Sequence, residues 1–153
     1  MLEAGTKFPD FSLKNQDGKT ETLGSYAGKW LVVYVYPKDD TPGCTIQGKA
    51  FTATKAEFEK RGIHVAGLSA DDVASHAGFC SKFDLTVELL ADPDTTLLKA
   101  LGVPQSEYKG TLYWNRSTFV VDPQGTLRKV YANVNPQGHE EVLLKDIEAL
   151  QAS

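Results

Sequence analysis

Six consecutive residues, Leu31-Val32-Val33-Tyr34-Val35-Tyr36, constrain this chain more than any other feature. β-Branched and aromatic side chains in unbroken succession, without polar alternation, specify a buried strand. Pro37 and Lys38-Asp39-Asp40 end that strand in a short loop, and a helix follows at once. Thr41 is a good N-cap residue, Pro42 sits where a first-turn proline is tolerated, and Cys44 falls at about the third helical position. Ile46, Ala50, Phe51, Ala53, Thr54 and Phe58 keep one helix face largely apolar until Arg61-Gly62 supplies a stop. Ile63 to Ser69 then reads as a second buried strand. Strand, helix, strand in this order implies a parallel pair joined by a right-handed crossover.

The alternation continues along the chain. A helix starts at Asp71 or Asp72 and runs to about Phe83, Val87 to Ala91 is a short strand, and Thr95 to Leu101 is a helix closed by Gly102 and Pro104. Ser117 to Val121 and Leu127 to Tyr131 are strands around Pro123-Gln124-Gly125, and a last helix spans about Glu140 to Leu150. Before the central strand, residues 1 to 10 read as an extended entry, and Phe11-Ser12-Leu13 and Thr20 to Leu23 form a hairpin around Asn15-Gln16-Asp17-Gly18. Gly24 to Lys29 makes one helical turn or a loop. Pro104 to Asn115 is the longest irregular stretch, and its Tyr108, Tyr113 and Trp114 either line a pocket or cover the core. The expectation is an α/β chain, a single domain over residues 1–153, with helices on both faces of a central sheet.

A net charge of −4 without a lysine or arginine cluster excludes a nucleic-acid or anionic-membrane surface. No apolar run approaches the roughly 20 residues of a membrane span, and Met1 to Gly5 lacks the regions of a signal peptide. The reading is therefore cytoplasmic. Two cysteines do not make a disulfide scaffold, and in a reducing compartment a bridge between them would be transient and catalytic. No phosphate-binding glycine loop or dinucleotide fingerprint occurs, so no cofactor is expected. Cys44, Cys80 and His76 lack the close spacing of a structural zinc site, so no metal is expected either.

Cys44 carries the chemical signal. The first turn of a helix surrounds it with unpaired backbone N–H groups at the positive end of the dipole, which favours a thiolate. The loop before it follows the carboxyl end of a central strand, where open α/β sheets hold ligands. Cys44-Thr45-Ile46-Gln47 lacks the second cysteine of a thioredoxin-type dithiol.

The string Pro37-Lys38-Asp39-Asp40-Thr41-Pro42-Gly43-Cys44-Thr45 resembles the active-site loop of the peroxiredoxins, closest to their bacterioferritin comigratory protein or Q-type subfamily. Asp10-Phe11-Ser12-Leu13 and Arg116-Ser117-Thr118-Phe119-Val120-Val121-Asp122 extend the resemblance over nearly the whole chain. It implies a thioredoxin-like three-layer fold with an N-terminal β-hairpin extension. It also implies a thiol peroxidase in which Cys44 attacks hydrogen peroxide or a small organic hydroperoxide and becomes a sulfenic acid. Arg116 matches the arginine beside the reactive cysteine, and Pro37 would shape and shield the loop. Gly43, Cys44, Thr41 and Arg116 would bind the peroxide, with Thr41 either orienting it or capping the helix through the Cys44 amide. Gln47 either orients Arg116 or faces solvent.

Many members of this subfamily place the resolving cysteine five residues after the first, but Lys49 stands there. Others place it in the following helix, where Cys80 fits. The resemblance then implies a Cys44–Cys80 intramolecular disulfide recycled by thioredoxin or a similar thiol reductant, in a monomer. An external thiol resolving Cys44, and a redox-sensing binding protein, remain as alternatives. His76, four residues before Cys80, either assists that thiol or sits solvated on the surface.

Overall fold

In the computed structural model, which describes residues 1–153, the chain opens with a hairpin of β1 (Ser12–Asn15) and β2 (Thr20–Thr22), then a 3-10 turn over Leu23–Tyr26. β3 (Trp30–Val35) leads into α1 (Pro42–Lys60), β4 (Ile63–Ser69), α2 (Val73–Phe83), β5 (Glu88–Ala91) and α3 (Thr96–Ala100). A second hairpin, β6 (Gln105–Tyr108) and β7 (Thr111–Trp114), precedes β8 (Ser117–Val121), β9 (Leu127–Tyr131) and α4 (His139–Gln151).

Seven strands form one sheet in the order β2-β1-β5-β4-β3-β8-β9. β3, β4 and β5 run parallel, as their helical crossovers require, whereas β8 lies antiparallel on the other side of β3. The apolar run from Leu31 thus forms a central strand with neighbours on both edges. Its alternate residues feed two cores. Val32, Tyr34 and Tyr36 pack under Phe51 and Phe58 of α1, Phe79 of α2 and Leu143 and Ile147 of α4. Leu31, Val33 and Val35 face Phe8, Tyr26 and Leu97, Leu98 and Leu101 on and beside α3. This is the three-layer thioredoxin-like arrangement, with the β1–β2 hairpin extending the sheet through antiparallel pairing to β5.

Pro104 to Asn115, irregular by its sequence pattern, contains instead the β6–β7 hairpin, turned at Lys109 (φ 51°) and Gly110 (φ 81°). Two residues at positive φ form the tight turn that matches strand twist. Trp114 packs on the core, while Tyr108 and Leu112 stay exposed.

His139 opens α4 as a buried side chain whose Nε2 pairs with Thr118 Oγ1 at 2.9 Å. Burial pushes its imidazole down from 6.5 to about 4. The folded chain therefore refuses a proton that the unfolded chain accepts between those values. Stability is full above pH 6.5 and declines as pH falls toward 4. Between pH 7 and pH 5 we expect a loss of roughly 1 kcal/mol from this group, after discounting for solvent screening. Urea unfolding at the two pH values checks it: His139→Gln should flatten the difference, and an equal pH dependence in both proteins would contradict it.

Candidate active site

Tyr36 keeps the ladder going past β3 by donating its N–H to Leu68 O, and Pro37 then breaks it. The loop turns at Asp40, whose φ of 59° is left-handed, and reaches Thr41 in extended conformation as the N-cap of α1. Thr45 N–H is the first in this helix to find an intrahelical acceptor, Thr41 O at 2.9 Å. The amides of Gly43 and Cys44 belong to the open first turn. Cys44 is the third helical residue, 1% exposed, with its sulfur in the core shared with Tyr34, Tyr36 and Phe79. The Thr41 hydroxyl does not cap the Cys44 amide, which rules out the capping alternative. It donates to Lys38 O at 2.8 Å and leaves its lone pairs free to accept.

Arg116 arrives from a remote part of the chain. The β3–β8 register sets Ser117 opposite Val35, so the residue before β8 stands at the exit of β3, where the loop begins. Its Nη1 and Nη2 lie 3.6 and 3.7 Å from Cys44 Sγ. Gln47, one turn after Cys44, is 1% exposed and accepts from Arg116 Nη1 at 2.5 Å through Oε1. The solvent-facing alternative for Gln47 is thereby overturned. Its Nε2 is buried without a partner, so the amide is oriented by the guanidinium, which can only donate. Gly43 completes the fit: a Cβ there would stand 2.7 Å from Arg116 Nη2. Pro37 is half-buried in the same loop.

Cys80 lies on α2, half-buried against the core that holds Cys44, and both thiols are free and not at disulfide distance. Burial, reinforced by the Asp39 and Asp17 carboxylates, pushes the Cys80 thiol up to about 11. His76 contradicts the expectation of a solvated histidine. It is 0% exposed and both ring nitrogens are committed to partners other than Cys80, Nδ1 to Asp39 Oδ2 at 2.7 Å and Nε2 to Leu90 O at 2.9 Å. Asp39, Asp71 and His76 converge in a way that suggests metal ligands. The direct 2.7 Å bond is shorter than the separation of about 3.3 Å that ligands 2.0 Å from one tetrahedral ion would keep, and the group reads as a hydrogen-bonded cluster.

A buried sulfur at a helix N-terminus, touched by two guanidinium nitrogens, is a place for nucleophilic attack in which negative charge moves onto a departing oxygen. Comparison with known proteins agrees with that chemistry. The AhpC/TSA family model matches residues 4–130. Over 149 residues the chain is 43% identical to the peroxiredoxin bcp of Helicobacter pylori, covering 95% of this chain and 98% of that protein. It is also 43% identical over 150 residues to a chloroplastic peroxiredoxin Q of Populus jackii, covering 97% of this chain and 70% of the other. The structure of a Xanthomonas campestris bacterioferritin comigratory protein with alkyl peroxide reduction activity superposes with a TM-score of 0.88 at 35% identity, covering 96% and 98% of the two chains. The fold, the placement of Cys44 and these likenesses agree, and the chain belongs to the AhpC/TSA family as a peroxiredoxin of the bacterioferritin comigratory protein, or Q, type.

Proposed function

We propose that this peroxiredoxin acts through Cys44 as the peroxide-attacking thiolate and Cys80 as the resolving thiol. The observation that carries the reading is the Cys44 sulfur in the first turn of α1, facing both terminal nitrogens of Arg116. The thiolate attacks the nearer peroxide oxygen, the O–O bond breaks, and the leaving alkoxide or hydroxide takes a proton as Cys44 becomes a sulfenic acid. Arg116, fixed by Gln47, and the Gly43 and Cys44 amides stabilise the charge on the departing oxygen, and Thr41 accepts from the peroxide to orient it. Pro37 shapes the loop. Hydrogen peroxide and small organic hydroperoxides fit so enclosed a sulfur.

Cys80 sulfur then displaces hydroxide from the sulfenic acid, water leaves, and a Cys44–Cys80 disulfide results. A thioredoxin-like dithiol reduces it, itself becoming a disulfide. The chain works as one domain and a monomer in a reducing compartment such as the cytoplasm, which keeps thiols reduced between turnovers. No helix is long and apolar enough to cross a membrane. The test is steady-state peroxide consumption with a catalytic amount of thioredoxin and its reductase. Wild type should turn over repeatedly, and Cys80→Ser should stop after one equivalent. Undiminished turnover by Cys80→Ser would hand resolution to an external thiol.

A further inference from the structure

The active-site loop and the helix that carries Cys80 are bound to each other by a buried cluster which the peroxide chemistry does not use. Asp39, 6% exposed, lies in the loop two residues before Thr41. Its carboxylate accepts Tyr36 Oη at 2.7 Å through Oδ1, and Ser75 Oγ at 2.8 Å and His76 Nδ1 at 2.7 Å through Oδ2. Its backbone N–H donates to Asp71 Oδ2 at 2.9 Å, and that oxygen also accepts from Ser69 Oγ at 2.7 Å. On the outer side, Lys82 of α2 bonds Asp40 at 2.8 Å. Two adjacent loop residues are thus held by opposite ends of one helix.

Donor and acceptor counting defines the central bond. Leu90 O can only accept, so His76 Nε2 carries a proton. Asp39 Oδ2 and His76 Nδ1 then share one further proton between them, and neither atom can release its partner in the dry interior without leaving a polar group unpaired. Cys80 lies one helical turn beyond His76. A disulfide to Cys44 requires Cα atoms roughly 4.4 to 6.8 Å apart, so part of α2 or of the loop must leave its place.

Resting on the assignment of Cys80 as the resolving thiol, we infer that Asp39 and His76 form a latch that makes release of the active-site loop and unwinding of α2 a single concerted step, and that breaking this latch limits disulfide formation. His76 is a positioning residue in this scheme and touches neither peroxide nor sulfur. The latch also explains why Cys80 is an inert thiol in the closed form. Asp39 is among the groups that hold it protonated, and unwinding removes that carboxylate and the burial together.

The test separates two rates in rapid-mixing experiments: oxidation of Cys44, which depends on peroxide concentration, and the later first-order formation of the disulfide. His76→Phe fills the buried volume without the latch bonds. It should leave oxidation unchanged and speed disulfide formation about tenfold, because a lost buried hydrogen bond shifts local opening by about that factor. Asp39→Asn, which keeps the shape, should move the same rate in the same direction. In the unaltered reduced protein, amides of residues 38–41 and of α2 should exchange with one common opening rate. Unchanged disulfide formation in either folded variant, or separate opening rates in wild type, would overturn the latch while leaving the Cys80 assignment intact. If wild type itself forms no intrachain disulfide, the assignment fails and the latch falls with it.

Discussion

Replacing Cys44 with serine should reduce peroxide consumption to the rate of buffer, a fall of at least about three orders of magnitude, while leaving the fold in place. A serine hydroxyl is not ionised near neutral pH, and its oxygen cannot be oxidised to a sulfenic acid, so neither step of the cycle has a substitute atom. Serine nearly matches cysteine in size, and in that position its hydroxyl finds the donors that face the sulfur, Arg116 Nη1 and Nη2. Stability should therefore change by only about 1 kcal/mol, on the scale of a single buried hydrogen-bonding group. Peroxide consumption followed by a peroxide-specific dye, beside urea unfolding, checks both parts. Substantial remaining activity would reject Cys44 as the nucleophile.

The second large effect belongs to Arg116. Arg116→Ala removes both donors from the sulfur and orphans Gln47, and it should slow the second-order oxidation of Cys44 by about 10²- to 10³-fold, or roughly 3–4 kcal/mol of barrier. A companion variant asks whether position or mere charge matters. Gly43→Ala places a Cβ against Arg116 Nη2, and the flexible end of the arginine can step aside at little cost to stability. Alanine also suits a helix better than glycine by about 1 kcal/mol. The variant should be as stable as wild type or slightly more so, yet slower by about 10- to 100-fold, because small misplacements of a charge-stabilising group are expensive in rate. Stopped-flow oxidation and urea unfolding separate the two readouts. Wild-type oxidation rates in both variants would remove the guanidinium from the site.

How much of this was legible in the sequence depends on how local each feature is. β3, its loop and α1 were readable because the strand run, Pro37, the Thr41-Pro42 start and the Arg61-Gly62 stop all act within a few residues of themselves. The same holds for α2, whose N-cap Asp72 accepts from Ser75 N–H at 2.8 Å. The β6–β7 hairpin escaped because its turn is Lys109-Gly110 rather than an Asn-Gly pair. Its strands are also mostly exposed and carry no apolar alternation.

Arg116 was reached only through family resemblance, since nothing near it in sequence announces a partner 72 residues away. For the same reason the sequence leaves a solvent-facing reading open for Gln47 and His76. A polar side chain on a helix is buried only when a distant group satisfies it, and their partners are Arg116 and Asp39, 69 and 37 residues distant. Tyr36, Asp39 and His76 come together because the loop after β3 and the start of α2, which follows the parallel β4, both lie at the carboxyl edge of the sheet.

One equivalent of peroxide added to the reduced protein tests the roles of Cys44 and Cys80 most directly. Peptide mapping by mass spectrometry under non-reducing conditions, on samples quenched through the first seconds, reads this out. The prediction is an added oxygen on Cys44 alone, giving way to a crosslinked peptide pair joining Cys44 to Cys80, with the oxygen persisting on Cys44 in Cys80→Ser. An oxygen retained on Cys44 of wild type beside a free Cys80 thiol, or oxidation that begins at Cys80, would contradict it.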